Sequence, residues 1–477
     1  MALNIVCVSI DSLRGDFCSF IESDEETTPF LSKLSNNAMV YESAITPSIW
    51  TLPVHTSIFT GHFPPEHGVL TGNEGLGDHP TFAEQLQDAN YTTKAFYSNG
   101  WLDTADILRG FDTSWSSQPS SQSEETVKKK VSNGIKSVSP RLQEAVKKSY
   151  SYYEGSRARE AYDLYNLWRS SETSLTGKDT DGERDVNSAI DEVKNITEPF
   201  CWFLHLNEAH WLYKPPNPHQ TAFTDRSTPA LIKNAVYWQN RVYGSRPNRL
   251  KTVADEISPP AREVETFRNL YRGGIRYCDS LVQKLVESLK SAGVWDDTVF
   301  ILFGDHGDSF GENGVFGHHF SMDESLIRVP LLIHDPTGQI SSGRVSKPVS
   351  LVDIYPTVLS LADADIPENS GFDLTKETRD EAFSYYDISK HDYYTNDYGV
   401  SKDDLPPPIQ HLVWRSQSEK AIHYPISDEY HIVGANKKEL RNLLQEHKAG
   451  FNLLENSENE LSKNVRDRLE KIGYLQE

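Results

Sequence analysis

Four stretches carry side chains whose types and spacing could do chemistry together. NIVCVSI, residues 4–10, is followed at once by Asp11. TPSIWTLPVHTSIFTG, residues 46–61, sets Thr51 where an extended, turn-rich segment gives way to an apolar-periodic run. FCWFLHLNEAH, residues 200–210, ends in His210. FGDHGDSFGENGVFGHHF, residues 303–320, places Asp305 and His306 directly after an apolar run, and His318 beyond a glycine-rich segment. Carboxylates with a neutral imidazole suit a hard, oxygen-rich site for a divalent cation. Asp11, Asp305, His306 and the Thr51 oxygen are therefore read as ligands of one metal ion (Ca, Mn, Mg or Zn). Coordination would lower the pKa of the threonine and orient it as a nucleophile. His210, His318, Lys94 and Asn99 are candidates for binding the remaining oxygens of an oxyanion. Singly, each is an ordinary surface or loop residue. His319 is expected to be a bystander, since only one of two adjacent side chains easily faces a given site.

The elements that must position these groups can be read from the pattern. Pro53 falls in the first turn of a helix, where its missing N–H costs little, and Gly61 stands where that helix would end. Thr51 is then expected at the N-cap, at the positive end of the helix, an environment that favours an anion. The continuous apolar runs 4–10, 200–206 and 298–304 suit strands buried on both faces, and 92–100 reads as a strand ending in Asn99 and Gly100. Helical patterns occupy 28–38, 81–89, 184–195, roughly 264–292 and part of 351–362. A last strand is expected at 330–335. Alternating strands and helices predict an α/β fold with a doubly wound, mostly parallel sheet flanked by helices. Asp11, Asp305 and the Thr51 turn then gather at the carboxyl edge of one sheet, where open α/β sheets keep their ligands.

Residues 1–370 form the expected catalytic domain, with insertions at about 113–183 and 215–262. Within 127–169 there are ten Lys or Arg against four Asp or Glu, a net of +6. That segment reads as a solvated helical hairpin, or as a basic lid that attracts an anionic substrate. Residues 371–477 read as a smaller α+β subdomain with short antiparallel strands and a helical end. The 477-residue chain is 37% hydrophobic and carries a net charge of −22, which argues against a nucleic-acid or anionic-membrane binder. Its four cysteines show no close pairing and read as buried thiols. MALNIVCVSIDSLRGD lacks a basic n-region, and no apolar run reaches about 18 residues. A cytoplasmic protein without a transmembrane segment is expected, of unknown oligomeric state.

In order along 1–365 the chain resembles the sulfatase family of the alkaline phosphatase superfamily. NIVCVSIDSLRGD resembles the opening strand with its metal-binding Asp11. TLPVHTSIFTG resembles the nucleophile motif, and FLHLNEAH the segment that supplies a substrate-binding histidine. TVFILFGDHGD resembles the second metal-binding strand, FGHHFSMDESLIRVPLLI the region of the oxygen-contacting histidine, and SLVDIYPTVLSLA the helix that closes the catalytic domain. The departures are informative. Thr51 stands where true sulfatases carry the Cys or Ser that becomes formylglycine. Val54 and His55 replace the Ser and Arg that complete that motif, so His55 inherits a substrate-binding position. Ser12 replaces a second Asp, and Ser98, Asn99 and Gly100 replace a Lys-x-His. Asn207 stands where a two-metal site would want Asp, so one metal is expected.

Together these readings imply an ester hydrolase acting through a covalent Thr51 intermediate, with His210 and His318 catalytic. A threonine ester must be resolved by a second in-line attack, which is normal for phosphoryl chemistry. Phosphate monoesters or diesters are therefore preferred over sulfate esters, with an anionic small molecule, glycan or lipid ester as substrate. Sulfate-ester hydrolysis without formylglycine is the alternative within the same class. A phosphoglycerol- or phosphoethanolamine-type transferase and an anion-binding pseudoenzyme are the rivals from other classes.

Overall fold

The computed structural model describes residues 2–111, 113–116, 180–194, 196–197, 199–227, 230–231, 234–396 and 398–450. The seven residues of β1 (Asn4–Ile10) are all buried. Val6, Val8 and Ile10 pack into one core, and Ile5 and Cys7 into another on the opposite face. A strand covered on both sides needs apolar residues at every position, which is why no alternation marks it in the sequence.

β1 is the middle of a nine-stranded sheet. Parallel to it lie β5 (Phe200–Leu206) on one side and β6 (Thr298–Gly304) on the other. Beyond β5 come β3 (Thr92–Tyr97) and β4 (Thr113–Ser116), also parallel. Beyond β6 comes β9 (Arg328–His334), then β2 (Met39–Ile45), with the short β10 (Gly343–Val345) and β11 (Val349–Ser350) beside β2. β9 runs antiparallel to both its neighbours, so the sheet is mixed with one reversed strand. The helices Pro29–Leu34, Asp181–Val193 and Ala261–Ser291 cover one face, and Thr51–Thr60, Phe82–Asp88 and Ile354–Leu361 the other.

Residues 113–116, expected to begin an insertion, instead extend the sheet as its edge strand. The rest of that stretch up to residue 179, including the basic segment 127–169, lies outside the described residues. In 215–262 short helices carry Val242 and Tyr243 into the core, as a long loop with local helices would. A ribbon of β7 (Ser309–Phe310) and β8 (Phe316–Gly317) folds the glycine-rich segment back on itself.

A separate antiparallel sheet of β12 (Ala382–Asp387), β13 (Ile409–Ser416), β14 (Glu419–Tyr424) and β15 (Glu429–Val433) follows, covered by the helix Lys437–Gly450. Its docking is specific. Tyr385 N–H donates to the Pro47 carbonyl at 2.9 Å, and the Ser384 hydroxyl donates to the Thr46 carbonyl. Ala382, Tyr386 and Trp414 share a core with Ile45, Ile49 and Phe320. No helix among the described residues is long and apolar enough to cross a membrane.

Candidate active site

The helix Thr51–Thr60 begins one residue earlier than capping logic suggests. Trp50 occupies the N-cap, with φ −155° and ψ 160°, and Thr51 is the first helical residue. The correction has a local cause. A cap from Thr51 would need the N–H of residue 53, which is proline, or of Val54, which already bonds the Trp50 carbonyl at 3.4 Å. The Thr51 side chain lines a cavity at the helix start instead. Gly61 ends the helix at φ +71°, as expected, and a side chain there would strike Tyr355 at 2.7 Å.

Asp11 and Asp305 continue the sheet past its carboxyl edge. Asp11 N–H reaches the Leu206 carbonyl at 2.9 Å, and Asp305 N–H the Ile10 carbonyl at 3.4 Å. Both side chains are buried, at 1% and 0% exposure. His306 Nε2 lies 3.6 Å from Asp11 Oδ1 and 3.6 Å from Asp305 Oδ2. Asp305 Oδ2 and His306 Nε2 have no hydrogen-bond partner, although both are buried. Buried polar atoms seldom stay unsatisfied, and these distances are what ligand atoms around one ion require. The residues present therefore fit a divalent cation. Burial raises the Asp11 carboxyl, but the imidazoles of His210, His205 and His306 hold it well below its usual value. Asp305 goes the other way, pushed well above by burial and then by the Asp11 charge. Two buried carboxylates this close repel one another, and a cation between them would relieve that repulsion. Gly307 of the DHG sequence is dictated by packing, since a Cβ there would meet the Ser325 carbonyl at 1.8 Å.

The nucleophile segment is tied to this centre twice. Thr46 Oγ1 donates to the Asp305 carbonyl at 2.6 Å. His55 Nδ1–H donates to the Thr51 carbonyl at 2.8 Å while its Nε2 accepts from Ser9 Oγ at 3.0 Å. Burial, then repulsion from His205, depresses the His55 pKa, so the ring is neutral and both its nitrogens are engaged. His55 lies 4.0 Å from Asp305 Oδ2 and could join His205 and Asp305 in a second ligand group. Asp305 Oδ2 is unpartnered in both groups, together with His306 Nε2 in the group with Asp11 and with His205 Nδ1 in the group with His55.

The other expected site residues divide. Asn99 donates to Asp11 Oδ2 at 3.0 Å, so its amide serves the carboxylate. Lys94 does not join the centre, because its ammonium pairs with Glu192 of the helix Asp181–Val193. His210 and His318 do come together, with ring centroids 5.2 Å apart, and His306 is 4.6 Å from His318. Burial, followed by repulsion from His306 and His210, holds His318 well below its ordinary pKa. His319, expected to be a bystander, lines the same cavity as His318 and Thr51.

Four further side chains take part, and three of them, His205, Asp308 and Tyr213, escaped the sequence reading. His205 points from the fully buried β5, with Nε2 3.3 Å from Asp11 Oδ2, and its only sequence signal is an imidazole inside an apolar run. Asp308 Oδ1 lies 3.6 Å from His318 Nδ1, and burial pushes its carboxyl up to about 6. Tyr213 donates to Asp308 Oδ2, holding that carboxylate in place. Ser12, at φ 59°, donates from its hydroxyl to Asp11 Oδ1 and from its N–H to Asp305 Oδ1, both at 2.9 Å. It ties the two carboxylates together where a second acid would have repelled them.

Known proteins resemble the chain along most of its length. Arylsulfatase K of Canis lupus familiaris is 25% identical over 390 residues, covering 78% of this chain and 66% of that protein, so the chain matches just under two thirds of that relative. An arylsulfatase of Clostridium perfringens (strain 13 / Type A) is 24% identical over 466 residues, covering 93% of this chain and 90% of that one. The phosphonate monoester hydrolase of Silicibacter pomeroyi shares the fold, with a TM-score of 0.67 at 17% identity, covering 94% of each chain. A family model described as Sulfatase matches residues 3–364, from the first strand to just past the helix Ile354–Leu361, and on that match the chain belongs to the sulfatase family.

Proposed function

We propose that the chain is a metal-dependent hydrolase of phosphate or sulfate esters that works through a covalent ester on Thr51, with phosphoesters preferred. The observation that carries this reading is the unpartnered pair Asp305 Oδ2 and His306 Nε2, buried beside Asp11 and bonded through Thr46 to the segment that bears Thr51. One divalent cation (Ca, Mn, Mg or Zn) held by Asp11, Asp305, His306 and Thr51 would lower the hydroxyl pKa and neutralise charge on an equatorial oxygen.

The chain's own groups supply the rest. Thr51 Oγ1 forms a bond to phosphorus or sulfur as the bond to the leaving oxygen breaks. His210 and His318 bind the remaining oxygens and pass a proton to that leaving oxygen. An incoming anion offsets the repulsion among His306, His210 and His318, and so favours the protonated ring that this transfer needs. Water then attacks the threonine ester in line, its proton going to the Thr51 oxygen, and releases inorganic phosphate or sulfate from a monoester or a phosphate monoester from a diester. His55, Asn99 and Ser12 position Thr51 and the carboxylates. On this reading residues 1–370 carry the chemistry, and Tyr386, Asp387, Ile388 and His391 from the C-terminal subdomain shape its mouth. The four buried, unpaired cysteines support a reducing compartment such as the cytoplasm.

Sulfate-ester hydrolysis is the second reading, favoured by relatives that carry the name arylsulfatase. Threonine speaks for phosphorus, because formylglycine chemistry, which sheds sulfate by elimination, is closed to it. A panel of p-nitrophenyl phosphate, phosphodiester, phosphonate and sulfate with several divalent metals decides between them. Faster turnover of a phosphorus ester is the expected result, and sulfate as the clear best substrate would reverse the preference.

A further inference from the structure

The cavity over Thr51 and His318 is walled by Trp50, Leu70 and Trp101 from the catalytic part and by Tyr386, Asp387 and Ile388 from the C-terminal sheet. Its rings stand at right angles. Trp50 meets Trp101 at 5.1 Å and 83°, and His391 at 6.5 Å and 82°. The C-terminal wall is anchored to the nucleophile segment through Tyr385 and Pro47, so Asp387 is fixed relative to Thr51. Its carboxylate is held in one orientation by Ser389 N–H at 2.8 Å, Ser389 Oγ at 2.6 Å and Tyr385 OH at 3.1 Å. Among the described residues no Lys or Arg pairs with it.

A fixed carboxylate at the mouth of an anion-binding centre has the wrong sign for a simple anionic ester. The repulsion vanishes if the substrate carries a positive charge at its other end. Perpendicular aromatic faces beside a carboxylate are a surface that recognises ammonium groups, through ring quadrupoles and direct charge attraction. We propose that the substrate is zwitterionic, a phosphate or sulfate ester whose leaving group carries an ammonium held by Asp387 and the rings of Trp50, Trp101 and Tyr386. This rests on ester hydrolysis at Thr51 and adds the substrate class.

Two isosteric leaving groups test it, 2-(trimethylammonio)ethyl and its neutral carbon analogue 3,3-dimethylbutyl, each as phosphate and sulfate ester. The cationic member should be favoured roughly tenfold in kcat/KM, the scale of a desolvated cation–π contact, and Asp387→Asn should bring the ratio towards one. Calorimetric binding of the same pair to the Thr51→Ala protein reads recognition without turnover and should show the same preference. Equal binding of the two esters overturns the proposal even if p-nitrophenyl esters are hydrolysed. Preferential binding of the cationic ester, with no ester of any kind turned over by the wild type, would leave the proposal standing and sink the hydrolase reading.

Discussion

Thr51, Asp11, Asp305 and His306 were recognisable as residues because each follows an apolar run or opens a helix. Their helpers were not. His205 and Tyr213 look like core residues, and only the parallel register of β5 against β1 brings His205 to Asp11. Lys94 shows the converse, a cation near the correct strand end that is taken up by Glu192. Asn99 changed role. Its amide bridges Asp11 Oδ2 while its Oδ1 accepts from Trp101 N–H at 3.0 Å, which fixes the carboxylate from behind. Groups that orient metal ligands in this way typically contribute 10- to 100-fold in affinity. Asn99→Ala should therefore weaken divalent-metal binding by about that factor in a calorimetric titration. Unchanged metal affinity with a raised KM would return Asn99 to the substrate.

At the scale of elements, the central strands were legible because double burial demands unbroken apolar runs. β2 was missed, since MVYESAI is only partly buried and polar at Glu42 and Ser43. The reversal of β9 was also invisible, because PLLI is equally apolar in either direction, and one of the two partners that set its direction, β2, lies far away in sequence. The C-terminal helix Lys437–Gly450 docks through His447, which stacks on Phe383 at 3.5 Å and meets Phe63 edge-on at 5.0 Å. Burial depresses the pKa of His447 to about 3, and burial with Lys448 does the same to His411. Their folded pKa lies below the ordinary value, so the stability they contribute is complete above about 6.5 and is lost as pH falls from there towards 3. Each partly exposed ring gives less than about 1.4 kcal/mol per pH unit. The unfolding midpoint should drop between pH 7 and 5, with a shallower slope in His447→Gln. An identical slope in that variant would show that the docking histidine does not titrate on unfolding.

At the scale of the whole molecule, a mixed α/β sheet carries a buried pair of carboxylates at its carboxyl edge, and an antiparallel sheet is clamped to the segment that bears Thr51. An ion that binds only the folded state stabilises it by about 2.7 kcal/mol at a hundredfold excess over its Kd. Chelation should lower the unfolding temperature, and adding back the preferred divalent metal should restore it. A melting curve indifferent to chelator, once metal analysis shows the ion removed, would mean that the carboxylates are not held by metal. The central claim is that catalysis passes through Thr51. Its most direct test is kcat/KM of Thr51→Ala against the wild type, both metal-loaded, on the best substrate of the panel. A loss of roughly three orders of magnitude or more is expected, and near-normal turnover by the variant would rule out covalent catalysis at Thr51.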